Sequence, residues 1–151
     1  MAEEPDDPLG PRVRALFTDL AHAGDLRAAE GIRVGEAGCI GQGTRVRFSL
    51  ALNGTRVEQV RYRAYGCPFT LATCEWLARQ LTGQQLAEIS AQALRAAVGA
   101  PTDWAAALGI ALQRLGRLLV VEDALRQAAV GSSESNTGYC TAASSEPGNG
   151  A

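Results

Sequence analysis

The stretch TRVRFSLALNGTRVEQVRYRAY, residues 44 to 65, decides the fold predicted for this chain. Apolar and polar side chains alternate along both halves of it, as they do in strands that bury one face. The dipeptide Asn53-Gly54 separates the halves and is a strong signal for a two-residue hairpin turn. We therefore predict an antiparallel hairpin with one buried face. That face comprises Val46, Phe48, Leu50 and Leu52 on one strand and Val60, Tyr62 and Ala64 on the other.

The residues before the hairpin predict one helix and one more strand. Pro11 suits the first turn of a helix, and Gly24 would close that helix. Its apolar stripe is Val13, Leu16, Phe17 and Leu20. The following sequence EGIRVGEAGCIGQG, residues 30 to 43, contains five glycines and predicts a short strand that enters a flexible loop around Cys39.

The residues after the hairpin predict helices only, from Pro68 to about residue 130. Breaks are expected at Gly83, Ser90, Gly99-Ala100-Pro101 and Gly116, with Thr102 or Asp103 as a helix cap. The fold class is therefore α+β, with a small antiparallel sheet of about three strands and helices packed on one of its faces. We expect a disordered lead-in at 1–10, one domain at 11–130, and a disordered polar tail at 131–151.

Composition narrows the function classes. The chain has 151 residues, 46% of them hydrophobic and 20% charged, which suits one domain with a real core. A net charge of −2 shows no overall signature of nucleic-acid binding. No apolar run approaches the ~20 residues of a membrane helix, and the acidic start is unlike a signal peptide. We expect a cytoplasmic protein whose four cysteines are thiols.

Cys67 is the first candidate for chemistry. It follows a predicted strand and precedes a proline at the start of a helix. The positive end of that helix would lower the pKa of the thiol and favour a thiolate, which can attack as a nucleophile or bind metal. The alternative is a small residue that fills a tight corner between strand and helix.

The other cysteines differ in their surroundings. Cys74 lies in the middle of a helical apolar stripe, which favours a buried packing role. Cys39 lies among glycines, where the backbone can fold closely around a bound group, so a functional role is favoured. Cys140 lies in the predicted tail, where no fixed geometry holds a ligand.

Other polar residues give weaker signals. His22, at the end of the first helix, suits the helix dipole as a structural cation. Four arginines on the outer face of the hairpin predict a positive surface that is either solvated or a docking site for an acidic partner; they are Arg45, Arg47, Arg61 and Arg63. No Ser/His/Asp set can be assembled, so we do not expect an enzyme.

These motifs together resemble a known family. A cysteine among glycines, the amphipathic hairpin, YGC at 65–67, the helix TLATCEWLARQLTGQ at 70–84 and EDALRQAA at 122–129 are similar to the IscU/NifU N-terminal family of iron–sulfur cluster scaffolds. The resemblance implies a [2Fe–2S] cluster or iron bound by cysteine thiolates, with Cys39 and Cys67 as ligands. It also implies a cysteine desulfurase as the sulfur donor and iron–sulfur acceptor proteins as further partners.

The chain departs from the family at several positions. Where the family has Cys-Gly-Asp, this chain reads Cys39-Ile40-Gly41-Gln42, so the family's aspartate ligand is missing. Gly116 and Arg117 stand where the family has a histidine and its last cysteine. Arg114 matches a basic residue of the family's chaperone-binding segment, so we assign it to partner binding.

Two thiolates are half of what a [2Fe–2S] cluster normally requires. The missing ligands could come from Cys74, from Cys140, or from a homodimer that shares the cluster, and the same thiols could hold zinc instead. The leading hypothesis is a scaffold or carrier for iron–sulfur clusters. The alternatives are an adaptor that only binds a protein partner and a protein that accepts persulfide sulfur without metal.

Overall fold

The predicted hairpin is confirmed, and it forms part of a three-stranded antiparallel sheet. A computed structural model describes residues 10–27 and 31–130. The strands are β1 (Ile32–Cys39), β2 (Thr44–Asn53) and β3 (Arg56–Tyr65), in the order β1-β2-β3. Phe48 lies opposite Tyr62, and Leu50 lies opposite Val60, so the predicted apolar residues meet on one face. The predicted tail, and all of the predicted lead-in except Gly10, lie outside the described residues.

Five α-helices accompany the sheet in the described part of the chain. They are α1 (Pro11–Phe17), α2 (Pro68–Leu81), α3 (Ala91–Val98), α4 (Pro101–Leu108) and α5 (Leu115–Val130). Helix α5 packs on β1 and β2, and α2 packs on β3, so these two helices cover the apolar face of the sheet. The α+β architecture with helices on one face is therefore confirmed.

A close approach of two backbones fixes α5 against β1. A Cβ atom at Gly35 would lie 2.1 Å from the amide nitrogen of Ala128 and 2.2 Å from the carbonyl oxygen of Ala124. Real Cβ atoms do not come that close to backbone, so only glycine lets the strand and the helix touch here. This contact sets the depth at which α5 lies on the sheet.

The end predicted for the first helix is wrong. Helix α1 ends at Phe17, and Thr18 is its C-cap. The chain then runs along the edge of β3, where the amide of Tyr62 donates to the carbonyl of His22 and the amide of Gly24 donates to the carbonyl of Tyr62. The free edge of β3 thus supplies backbone partners that compete with further helix formation.

Two further predictions need correction. Cys39 is the last residue of β1 instead of part of a flexible loop, and a single 3-10 turn over Ile40–Gln42 leads into β2. The last helix break falls between Gly109 and Arg114, because Gly109 takes a left-handed conformation at φ +74°. Gly116 lies inside α5.

The start of α4 agrees only in part with the predicted cap. Asp103 takes part by accepting a hydrogen bond from the amide of Ala100 at 2.9 Å. The N-cap position itself belongs to Ala100, and Pro101 occupies the first turn.

Candidate functional site

Cys67 lies at the N-terminus of α2, two residues after β3 ends. It is the N-cap residue, its backbone is extended, and its side chain is half-buried. The Sγ atom lies 3.7 Å from the hydroxyl oxygen of Thr70 and 3.9 Å from Nη1 of Arg117. A guanidinium and a hydroxyl therefore both face this sulfur.

The surroundings of Cys67 favour its thiolate. Burial raises the pKa of the Cys67 thiol. The amide and hydroxyl of Thr70, the amide of Phe69 and the charge of Arg117 all lower it, and together they outweigh the burial. The pKa of Cys67 is therefore lower than that of an ordinary cysteine, which is the condition for a reactive or metal-binding thiol.

A cavity of about 300 Å³ shares one residue, Arg117, with the surroundings of this thiol. It is lined by Gly38, Gln42, Thr44, Gln113, Arg114, Gly116, Arg117 and Val120. Arg117 belongs both to this lining and to the contacts of Cys67. The cavity therefore lies between the β1–β2 turn and the start of α5, on the side of α5 from which Arg117 reaches Cys67.

Cys39 lies beside residues that line the same cavity. Its neighbour Gly38 and its strand partner Thr44 both line the cavity, and its own side chain is 5% exposed. Contrary to the prediction of four thiols, the sulfur of Cys39 is disulfide-bonded. Ligation of a metal by Cys39 would therefore first require its reduction. In the described residues, the free thiols are those of Cys67 and Cys74.

Cys74 occupies the core, as its place in the helical stripe predicts. It is completely buried, and burial together with the nearby charge of Glu75 raises the pKa of its thiol. Both properties suit a packing role and oppose ionisation. The structure thus gives no support to Cys74 as a third metal ligand.

Among the described residues, the site does not contain a complete set of metal ligands. The described residues hold no group of three or more His, Cys, Asp or Glu side chains that could bind a metal ion. Arg117, which stands where the resemblance implies a cysteine, directs a positive charge at Cys67. A metal cation bound to Cys67 would lie close to that positive charge, and the repulsion would weaken its binding.

Arg114, assigned from the sequence to partner binding, lies beside the same cavity. Its guanidinium carbon is 4.3 Å from the centre of the Phe69 ring. This cation–π contact holds an exposed cation near the first turn of α2.

A buried carboxylate network was missed by the sequence reasoning. Glu75 is completely buried and accepts hydrogen bonds from the amide of His22, the hydroxyl of Tyr62 and Nε of Arg79 at 2.8–3.0 Å. The ring nitrogen Nδ1 of His22 lies 2.7 Å from the same carboxylate. His22 therefore binds Glu75, and the predicted interaction with the end of the first helix is wrong, because α1 already ends at Phe17. The spacing of Glu75 and Arg79 was the one available sequence signal, because residues four apart on a helix are neighbours.

The positive surface predicted on the outer face of the sheet is largely neutralised. Arg45 and Arg47 pair with Glu36, and Arg63 pairs with Asp25 at 2.6 Å. These carboxylates come from β1 and from the segment that follows α1. This face therefore offers less free positive charge than the alternating pattern of the hairpin indicates.

Comparison with solved structures supports the observed fold. The structure is similar to the crystal structure of a putative iron–sulfur cluster assembly scaffold protein for the SUF system from Fervidobacterium islandicum AW-1. The TM-score is 0.60 at 14% sequence identity, over 80% of this chain and 95% of that one. It is also similar to a hypothetical protein solved at 2.3 Å, with a TM-score of 0.54 at 15% identity, over 78% of this chain and 96% of that one. At these identities, the likeness shows the α+β scaffold fold alone.

Sequence comparison defines the family. The model of the NifU-like N-terminal domain matches residues 11–117, so this chain belongs to that family. The curated protein "Bifunctional protein NifU/MnmA" of Rubrobacter xylanophilus is 38% identical over 96 residues. The match covers 61% of this chain and 19% of that relative, so the chain spans about a fifth of the relative's length.

Proposed function

We propose that this protein works in iron–sulfur cluster assembly, with Cys67 as the thiolate that receives the incoming material. Family membership supports the process. The observation that carries the role of Cys67 is its position at the N-terminus of α2, where amides, a hydroxyl and Arg117 favour the thiolate. The proposed partners are a cysteine desulfurase as sulfur donor and iron–sulfur proteins as acceptors, and the proposed location is the cytoplasm.

The first candidate role is that of a cluster scaffold or carrier. A [2Fe–2S] cluster is then cargo, and it needs about four protein ligands. Cys39 and Cys67 would supply two of them after reduction of Cys39, so a homodimer that contributes both residues from each chain completes the set. Iron alone or zinc would have the same ligand requirement.

The second candidate role is acceptance of sulfur without metal, and the contact between Arg117 and Cys67 favours it. The Cys67 thiolate would attack the outer sulfur of a donor persulfide, R–S–SH. A new S–S bond forms on Cys67, the S–S bond of the donor breaks, and the donor leaves as the thiolate R–S⁻ with the electron pair. No external oxidant or reductant is consumed.

Anaerobic reconstitution separates these roles. The full chain is reduced, supplied with ferrous iron and sulfide, and examined by visible absorption, iron content per chain and molecular mass. A carrier gives a coloured dimer, and the colour is lost in Cys39→Ser and in Cys67→Ser. Cys74→Ala is the matched control, because removal of this buried thiol is expected to leave the colour unchanged.

A parallel incubation with a desulfurase and cysteine tests the second role. A sulfur acceptor gains the mass of one sulfur atom on the peptide that contains Cys67, and Cys67→Ser does not. A wild-type chain that neither colours nor gains sulfur would contradict the proposal. The protein would then be an adaptor that shares only the fold of its family.

A further inference from the structure

Arg114 and Arg117 have no carboxylate partner among the described residues. On the outer face of the sheet, Arg45 and Arg63 form ion pairs with Glu36 and Asp25. Arg114 instead contacts the Phe69 ring, and Arg117 contacts the Cys67 sulfur. Both are exposed side chains that line one cavity.

The rest of the cavity lining adds no negative charge. Its other members are glycines, Val120 and the neutral polar residues Gln42, Thr44 and Gln113. The amide and hydroxyl groups of these three residues can donate hydrogen bonds. Two guanidinium groups with neutral donors and no acid form a site that attracts anions and repels metal cations.

Both arginines are tied to the first turn of α2. Phe69, under the Arg114 guanidinium, is two residues from Cys67 along that helix, and its ring is 4.3 Å from the guanidinium carbon. Arg117 lies one helical turn further along the chain than Arg114, at the start of α5. One positive charge is therefore held beside the sulfur of Cys67, and the other is held over the first turn of the same helix.

We propose that Arg114 and Arg117 form an anion-binding subsite next to Cys67, and that its ligand is anionic sulfur. In the sulfur-transfer step described above, negative charge develops on the departing thiolate of the donor. After the transfer, the outer sulfur of the Cys67 persulfide ionises by losing its proton. Both charges arise beside these guanidinium groups. The inference rests on the proposed role of Cys67. It assigns a function to Arg117, which stands where the family has its last cysteine.

Charged thiol reagents test the subsite directly. The probes are methanethiosulfonates that carry either a sulfonate or a trimethylammonium group. In each reaction the Cys67 thiolate attacks the sulfenyl sulfur, forms a mixed disulfide and releases methanesulfinate. The full, reduced chain is labelled at low ionic strength, and mass spectrometry follows the Cys67 peptide. The ratio of the anionic to the cationic rate constant reports local charge, because the thiolate fraction cancels in it.

The expected result is a ratio that depends on the two arginines. Arg117→Gln lowers the ratio about tenfold, and Arg114→Gln lowers it about threefold. Added salt reduces the wild-type ratio towards that of Arg117→Gln. The matched control is Arg126→Gln, since Arg126 is also on α5 but pairs with Asp123 and does not line this cavity.

Two results would overturn the subsite: an unchanged ratio in Arg117→Gln, or an equal fall in Arg126→Gln. Failure of the subsite can be distinguished from failure of the proposed function. A chain that neither takes up a cluster nor accepts sulfur can still show the charge-dependent ratio. Conversely, a chain that does either can lack it.

Discussion

At the scale of single residues, the environment of Cys67 decides what its sulfur can do. Burial and the polar contacts act in opposite directions on its pKa, and the polar contacts dominate. Thr70 supplies two of these contacts through its amide and its hydroxyl. Its side chain is completely buried, so the hydroxyl is held near the sulfur. Thr70 is therefore the residue through which the reactivity of Cys67 can be changed without touching the sulfur.

Replacing the Thr70 hydroxyl is expected to raise the pKa of Cys67. Thr70→Val keeps the shape of the side chain and removes a hydrogen bond to the thiolate. The midpoint of the pH profile of Cys67 alkylation by iodoacetamide should then lie at a higher pH than in the wild type. At pH 7, we expect the rate to fall about two- to fivefold. Peptide mass spectrometry after reduction measures this for Cys67 alone.

Thr73→Val is the control for that measurement. Thr73 is also completely buried on α2, but its hydroxyl donates to the carbonyl of Phe69 at 2.7 Å and does not contact Cys67. The pH profile of Cys67 should therefore be unchanged in Thr73→Val. Identical profiles for Thr70→Val and the wild type would show that the hydroxyl has no part in activating the thiol.

At the scale of secondary-structure elements, the contact between β1 and α5 positions the site. One end of β1 carries Cys39, and the first turn of α5 carries Arg117. Among the glycines of β1, Gly35 is the one at which the backbones of β1 and α5 approach most closely. A side chain at this position would push the helix away from the sheet and move both walls of the cavity.

Two glycine-to-alanine changes with opposite expected effects test this packing. Gly35→Ala should lower the free energy of unfolding by about 2–3 kcal/mol, because the new methyl group has no space. Gly116→Ala, inside α5 and with nothing within 4 Å of the added Cβ, should raise it by about 0.5 kcal/mol. Urea unfolding under reducing conditions measures both. Equal stability of the two variants would contradict the close contact.

The cysteines show how far sequence patterns reach at this scale. The stripe on α2 correctly places Cys74 in the core, and the turn before Pro68 correctly places Cys67 at a helix start. The glycines around Cys39 wrongly predict a loop, because β1 forms its full ladder with β2 as far as Cys39 and Thr44. Glycine frequency alone does not reveal that backbone hydrogen bonds to a neighbouring strand will outweigh flexibility.

At the scale of the whole molecule, Glu75 joins three parts of the chain. Its carboxylate accepts bonds from His22 after α1, from Tyr62 on β3 and from Arg79 on α2. Burial alone raises the pKa of Glu75, but these hydrogen bonds outweigh it and leave the pKa lowered. A lowered pKa in the native state means that the ionised carboxylate stabilises the fold above the unfolded pKa. That stabilisation is lost as the pH falls through the native pKa.

Glu75→Gln should therefore destabilise the protein in a pH-dependent way. At pH 7, we expect a loss on the order of 2 kcal/mol in the free energy of unfolding, because the network loses its charge-assisted hydrogen bonds. The difference from the wild type should shrink as the pH falls below the unfolded pKa of about 4.3 towards the lower native pKa of Glu75. Urea unfolding at several pH values measures this difference. The exposed Glu58→Gln is the control and should show no such trend.

A difference between wild type and Glu75→Gln that stays constant from pH 7 to about pH 3 would contradict this account. It would mean that the shape of the network matters and its charge does not.

In the described part of the chain, no helix has the length and apolar character needed to cross a bilayer.

The hairpin, the helical second half, the α+β class and the family resemblance can be predicted from the sequence, because they depend on alternation, turn residues and short motifs within a few positions. Five features depend on how the elements pack: the end of α1, the place of Cys39 at a strand end, the pairing of the outer arginines, the burial of Glu75 and the contact of Arg117 with Cys67. Arg117 and Cys67 are 50 positions apart, and His22 and Glu75 are 53 apart. Local periodicity carries no information about such pairs, since they meet only when α5 and the segment after α1 pack against the elements that carry their partners.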